Sequence, residues 1–168
     1  MEKELIEEFL MAINALIGKA CWGIAAGPNM GSVIDLELGE KIPLRQPGSS
    51  ALTNDLCYYR GEYTVMIECS WRLDAKDRVI CGWAESNLED GVLSHGLQLV
   101  LNQTVENVTV DPVTFDFSLY FSNALTLRGF CDQTDASAQS DNYTLFTPRY
   151  SYVITKKSNL TREERDLD

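Results

Sequence analysis

Gly61-Glu62-Tyr63-Thr64-Val65-Met66-Ile67-Glu68-Cys69-Ser70-Trp71-Arg72-Leu73 alternates apolar and polar residues from Glu62 onward, with Met66 the one apolar residue in the polar phase. Tyr63, Val65, Ile67, Cys69, Trp71 and Leu73 fall on one side of an extended chain. Glu62, Thr64, Met66, Glu68, Ser70 and Arg72 fall on the other. That period of two is the signature of a strand with one buried face, so residues 62–73 are read as a single strand of a half-buried sheet.

Working outward, a turn around Asp74–Asp77 leads into a short strand at 78–83 that pairs with it. Upstream, Cys21–Ala26 and Ser32–Leu38 read as strands separated by Gly27-Pro28-Asn29-Met30-Gly31. Residues 39–61, with Pro43, Pro47, Gly48, Ser49 and Ser50, read as a long loop, mobile or lying over a cleft. Downstream, 84–91 reads as loop, Leu93–Leu101 as a helix or a strand that periodicity does not separate, and 104–110 as a strand. Phe115, Phe117, Leu119 and Phe121 alternate with Asp116, Ser118 and Tyr120. Ser122-Asn123 then turns the chain into Leu125 and Leu127, the clearest hairpin signal. Asp132–Asp141 is a polar connector, and Tyr143–Phe146 and Tyr150–Thr155 are final strands broken near Pro148.

Ahead of the strands, residues 3–18 carry Ile6, Phe9, Leu10, Ile13, Leu16 and Ile17 at helical spacing. Glu4, Glu7 and Glu8 sit where the helix dipole favours acids, and Gly18 terminates the run. The expected fold is therefore α+β and β-rich: an antiparallel sandwich or partly open barrel of roughly eight strands with an N-terminal amphipathic helix packed on the sheet. Residues 1–157 form one domain, and the charged tail 158–168 is expected to fray.

The 168 residues include 14 basic and 25 acidic side chains, a net charge of −11, and the pI is about 4.5. Such a surface repels nucleic-acid phosphates and anionic membranes and favours a basic partner. The acidic N-terminus is unlike a secretory signal, and no apolar run approaches the roughly 18 residues of a membrane span, so a cytoplasmic address is expected. In that compartment Cys21, Cys57, Cys69, Cys81 and Cys131, odd in number and without a Cys-x-x-Cys pair, are expected as free thiols. The sequons at Asn102, Asn107, Asn142 and Asn159 are then chance matches. Self-association is left open.

Chemistry-bearing motifs are scarce. His95 is the sole histidine: a histidine metal site would need cysteine or carboxylate partners at spacings not seen here, and a nucleophile–histidine pair would have to be assembled across the fold; a loop or surface position beside Gly96 suits it better. Gly27–Ser32 lacks the lysine and the following helix of a phosphate-binding loop. No metal or cofactor and no catalytic residue is expected. The candidate binding residues are Glu68, Ser70 and Arg72, a polar strip on the deciding strand, together with Trp22. Glu68 and Arg72 stand about 13 Å apart along a straight strand and cannot pair directly. Trp22 and Trp83, each beside a glycine, suit either a sheet rim or a binding surface.

The Cys69-Ser70-Trp71-Arg72 element at the end of its strand, the preceding Gly31-Ser32, and the hairpin Asp116-Phe117-Ser118-Leu119-Tyr120-Phe121 resemble those of a group of small, acidic, uncharacterised bacterial proteins. The resemblance spans roughly residues 20–155. Some proteins of this kind look like immunity or accessory proteins of toxin systems, which implies partner binding without catalysis. Two functions are accordingly expected to compete. One is a non-enzymatic protein engaging a basic protein partner. The other is a small-molecule-binding barrel or hydrolase with a pocket formed by Glu68, Arg72, Trp22 and the 39–61 segment.

Overall fold

The computed structural model describes residues 2–28, 30–49, 54–134 and 141–165. Helix α1 (Glu2–Asn14) leads into β1 (Cys21–Ala25), β2 (Ile34–Pro43), a short α2 (Asn54–Tyr58), β3 (Tyr59–Ile67), β4 (Ser70–Asp74) and β5 (Val79–Gly82). Helix α3 (Val92–Gln98) precedes β6 (Val105–Val110), β7 (Phe117–Phe121), β8 (Thr126–Phe130), β9 (Asp141–Phe146), β10 (Tyr150–Thr155) and β11 (Asn159–Glu164). Two open antiparallel sheets result, of order β1-β2-β3-β9-β10-β11 and β5-β4-β8-β7-β6, and their inner faces share one apolar core. The β-rich antiparallel fold with its N-terminal helix is as expected. Of the two architectures it is the sheet-on-sheet form, not a closed barrel.

The deciding stretch differs from its reading in one respect. It is two strands, β3 in the six-stranded sheet and β4 in the five-stranded one, with the change of sheet at Glu68–Cys69. Burial nonetheless alternates through the corner, because Val65, Ile67, Cys69, Trp71 and Leu73 all point into the core. A strand that crosses between packed sheets keeps its inner face toward the same core, so the period of two survives the break. The backbone N–H groups of Glu68 and Cys69, released from the ladder there, both donate to the Asn142 carbonyl at 2.9 and 2.8 Å.

Two further readings are corrected. Much of 39–61 is not loop: β2 continues to Pro43, β3 begins at Tyr59, and Lys41, Ile42 and Pro43 pair with Gly61, Arg60 and Tyr59. A bulge between Leu38 and Lys41, with Gly39 at φ 79°, interrupts the ladder, and Pro43 occupies its last pair, where a missing N–H does little harm. Residues 50–53 of this segment lie outside the described residues. The charged tail also contributes structure. Residues 159–164 form β11, paired with β10 from Asn159 to Glu164. Leu160 reaches the core, and Arg162 lies over the Tyr150 ring and bonds Glu8 of α1. β11, absent from the sequence reading, and the division of 62–73 into β3 and β4 account for two of the three strands by which eleven exceeds eight.

Helix α1 lies against the core with Phe9 and Ile13 buried, and Leu16 is buried in the turn that follows it. The Phe9 ring meets Phe115, Tyr143 and Tyr152 at 5.8, 6.3 and 5.9 Å, and Glu8 accepts from Tyr152 Oη at 2.8 Å. The ambiguous segment 93–101 resolves as α3, which buries Leu93 and Leu97 and presents Gly96 to Cys81. A Cβ at Gly96 would stand 2.4 Å from the Cys81 sulfur, so this contact needs glycine. Among the described residues no helix is long and apolar enough to cross a membrane.

Candidate functional site

On the outer face of the five-stranded sheet, β4 places Arg72 opposite Gly82 of β5 and Arg128 of β8. Gly82 raises no side chain beside the guanidinium, which lies over the Phe130 ring, 5.1 Å from its centroid. Arg72 Nε is 2.9 Å from Asp74 Oδ1, and its N–H is directed at Oδ2, 3.1 Å away. Arg128 holds the same carboxylate at 2.9 Å and donates to Ser118 Oγ at 3.1 Å. One aspartate thus anchors two arginines side by side. Ser70 pairs with Phe130 in the register.

After β5 the chain turns with the Trp83 N–H on the Trp71 carbonyl (3.0 Å) and the Glu85 carboxylate accepting from the Gly82 N–H (2.8 Å). This turn holds Trp83 at the sheet edge. The outcome is a cleft of about 380 Å³ lined by Ser70, Arg72, Val79, Gly82, Trp83 and Phe130. Its apolar walls stand open to solvent: Val79 is 57% exposed, Trp83 47% and Phe130 38%.

Of the four candidate residues, Ser70 and Arg72 share this cleft. Glu68 sits at the corner between the sheets, where burial and then the neighbouring Asp141 carboxylate raise its pKa. Trp22 lies at a bulge of β1, in the other sheet, with the Lys41 ammonium 5.0 Å from its ring centroid. Its buried indole nitrogen has no hydrogen-bond partner among the described residues. His95 is exposed on α3, its Nδ1 3.0 Å from the Gly91 carbonyl. The Gly27 and Gly31 carbonyls accept from the Asn87 side-chain amide at 3.0 and 2.7 Å, so the glycine-rich turn is tied to the segment before α3. Among the described residues no group of three or more His, Cys, Asp or Glu is arranged to hold a metal ion.

No known family model, curated protein or solved structure matches the chain. Besides the cleft, one unusual electrostatic feature stands on the outer face of the six-stranded sheet, where β2 carries Asp35 and Glu37. Burial first, then the Glu37 and Glu68 charges, push the Asp35 carboxyl up to about 6, and its buried Oδ1 has no hydrogen-bond partner among the described residues. Glu37 accepts from the Gly61 N–H and from Thr64 Oγ1, yet burial still raises its pKa.

Sequence reasoning missed Val79, Phe130 and the Asp35–Glu37 pair. Phe130 had a legible signal, since it falls out of phase with the inward residues Leu127 and Gly129 of its own strand. Asp35 and Glu37 occupy the polar phase of β2 and look ordinary in sequence. Only the packing around the outer face makes them costly.

Proposed function

We propose that this chain is a non-enzymatic binding protein that engages a partner protein at the cleft beside Arg72. The observation that carries the reading is the gathering of Val79, Trp83 and Phe130, all substantially exposed, around a guanidinium already stacked and ion-paired. A half-exposed tryptophan beside an ordered arginine has the composition of a binding hot spot. Arg72 is stacked on Phe130 and shares the Asp74 carboxylate with Arg128, and the exposed walls around it are apolar, so contact in the cleft is chiefly apolar. The net charge of −11 supplies long-range attraction for a basic surface. The occupant is accordingly a segment of a basic protein that inserts an aromatic or branched apolar side chain. The resemblance to immunity-type proteins points the same way, toward binding without catalysis. The competing small-molecule reading called for Glu68, Arg72 and Trp22 around one pocket. Trp22 and Arg72 stand on different sheets, and this favours the protein-binding reading.

A displayed peptide library panned on the protein tests this directly. Lysine- or arginine-flanked aromatic or aliphatic sequences should be enriched, and Trp83→Ala should weaken the selected peptides at least about tenfold, mainly through faster dissociation. Raising salt from roughly 50 to 500 mM should slow their association while leaving dissociation nearly unchanged. Enrichment of acidic peptides, or full binding by Trp83→Ala, would sink the proposal.

A further inference from the structure

The five cysteines are in the thiol form, none joined in a disulfide, and they are not placed alike. Cys21 donates to the Gly23 carbonyl, Cys57 to the Ser49 carbonyl, and Cys81 is buried beneath Gly96. Cys69 and Cys131 differ. The β4–β8 register pairs Trp71 with Gly129 and Ser70 with Phe130, and one step further sets Cys69 opposite Cys131. Opposed residues in an antiparallel pair point to the same side, here the core side that Trp71 and Leu127 share.

The backbone hydrogen bonds define the kind of pair. Cys69 N–H donates to the Asn142 carbonyl at 2.8 Å, and Cys131 N–H to Asp116 Oδ1 at 2.7 Å. Neither bonds the other, so this is a non-hydrogen-bonded pair, in which Cα atoms approach to about 4.5 Å and side chains are closest. That separation lies within the roughly 4.4–6.8 Å that a disulfide spans. Each thiol is the largest influence on the other's proton affinity, as expected of two sulfurs held side by side.

We propose that Cys69 and Cys131 are a latent dithiol, reduced in a reducing thiol pool and closed to a disulfide by a low-molecular-weight disulfide such as glutathione disulfide. A thiolate of the pair attacks one glutathione sulfur, the S–S bond breaks, and a glutathione thiolate leaves. The opposed cysteine gives its proton to solvent and attacks the mixed disulfide, expelling the second glutathione. Two electrons and two protons pass from the protein to one glutathione disulfide, yielding two glutathione molecules. The adjacent thiols titrate as a pair: the Cys131 thiol holds Cys69 below its ordinary range, while Cys69 and burial hold Cys131 above its own, so one proton leaves readily and the other stays. Cys131 is the more exposed of the two and gives the oxidant its approach.

The bond would fall where the chain passes twice between the sheets. Cys69 lies on the β3–β4 crossing and Cys131 opens the β8–β9 connection. Asn142, itself buried, already ties the two: its carbonyl holds the Glu68 and Cys69 N–H groups, and its side chain exchanges hydrogen bonds with the Asp132 backbone at 2.8 and 3.2 Å. A disulfide at this point makes that junction covalent without asking the ladder to move.

The test uses the full folded chain equilibrated with glutathione disulfide and then denatured for thiol counting. The titre should fall from five to three, peptide mapping should find Cys69 joined to Cys131, and the oxidised protein should unfold at higher urea. Cys131→Ser, treated in the same way, should keep its four remaining thiols free of any internal bond. A titre that stays at five, a link between other cysteines, or glutathione held on Cys131 with no internal bond would each overturn the proposal.

Discussion

Phe9→Ala is expected to destabilise the protein by about 4 kcal/mol, read as a lowered urea midpoint at unchanged slope. A helix the length of α1 is marginal alone, so it exists here because its apolar stripe is buried. Phe9 is the centre of that stripe and the meeting point of three rings, Tyr143 of β9, Tyr152 of β10 and Phe115, two residues before β7. Truncation removes the transfer energy of the ring together with its edge contacts. The void would not readily collapse, because Tyr143 is held by the hydrogen bond from its hydroxyl to the Phe115 carbonyl at 3.0 Å. Phe115 is held in turn by a left-handed backbone at φ 61°. Met11, 76% exposed on the opposite side of α1, provides the control, and Met11→Ala should change stability by less than about 0.5 kcal/mol. A loss below about 1 kcal/mol for Phe9→Ala would mean that α1 does not depend on this face.

The same chain shows which parts of a β fold can be read without coordinates. Inward phase is legible: the alternation at 62–73 and at 115–121 names the buried residues correctly, with Tyr63 the least buried of them. Sheet membership is not. Glu68 and Cys69 carry no glycine, proline or charge run, because a corner between sheets needs only partners for two N–H groups, and Asn142, far along the chain, supplies them. The tail misled for a related reason. Asn159–Glu164 looks like a solvated charge run, yet Leu160 and Arg162 share a phase and meet the core and Glu8, while the other phase stays in water. A charged edge strand of this kind also guards against pairing with other chains.

The candidate site was half legible. Arg72 and Ser70 were marked by their phase on the deciding strand. Phe130 and Val79, which complete the cleft, come from the two strands that flank β4, and nothing local announces that they stand together. Glu68 shared the phase of Arg72 in sequence but was separated from it by the corner. Trp22 carried a plausible signal, a tryptophan beside glycine, and ended in the opposite sheet beneath a lysine. Trp83 carried the same signal and ended in the cleft. The neighbour that distinguishes them is tertiary, and composition cannot show it.

Asp35→Asn is the second large effect, and it should stabilise. Burial, with Glu37 and Glu68 nearby, raises this carboxyl to about 6 from its ordinary 3.8. The folded state therefore holds the proton more tightly than the unfolded chain does. That advantage is fully present below about pH 4 and is lost as pH rises through about 6. Near pH 7.5 the native protein carries a partly buried charge that asparagine would not. The shift of about two units corresponds to a gain of about 2–3 kcal/mol for Asp35→Asn at that pH, and to almost none near pH 4. Glu37 and Glu68 are raised by burial in the same sense, so stability lost between about pH 4 and 7 in the parent should be reduced, not abolished, in the variant. Glu8 acts in the opposite direction, held low by hydrogen bonds from Arg162 and Tyr152, but it is exposed and screened and contributes little. Urea midpoints of both proteins at the two pH values separate the explanations. A gain of equal size at both would arise from packing or hydrogen bonding of the amide, and no gain at the higher pH would mean that the Asp35 charge is already compensated in the folded state.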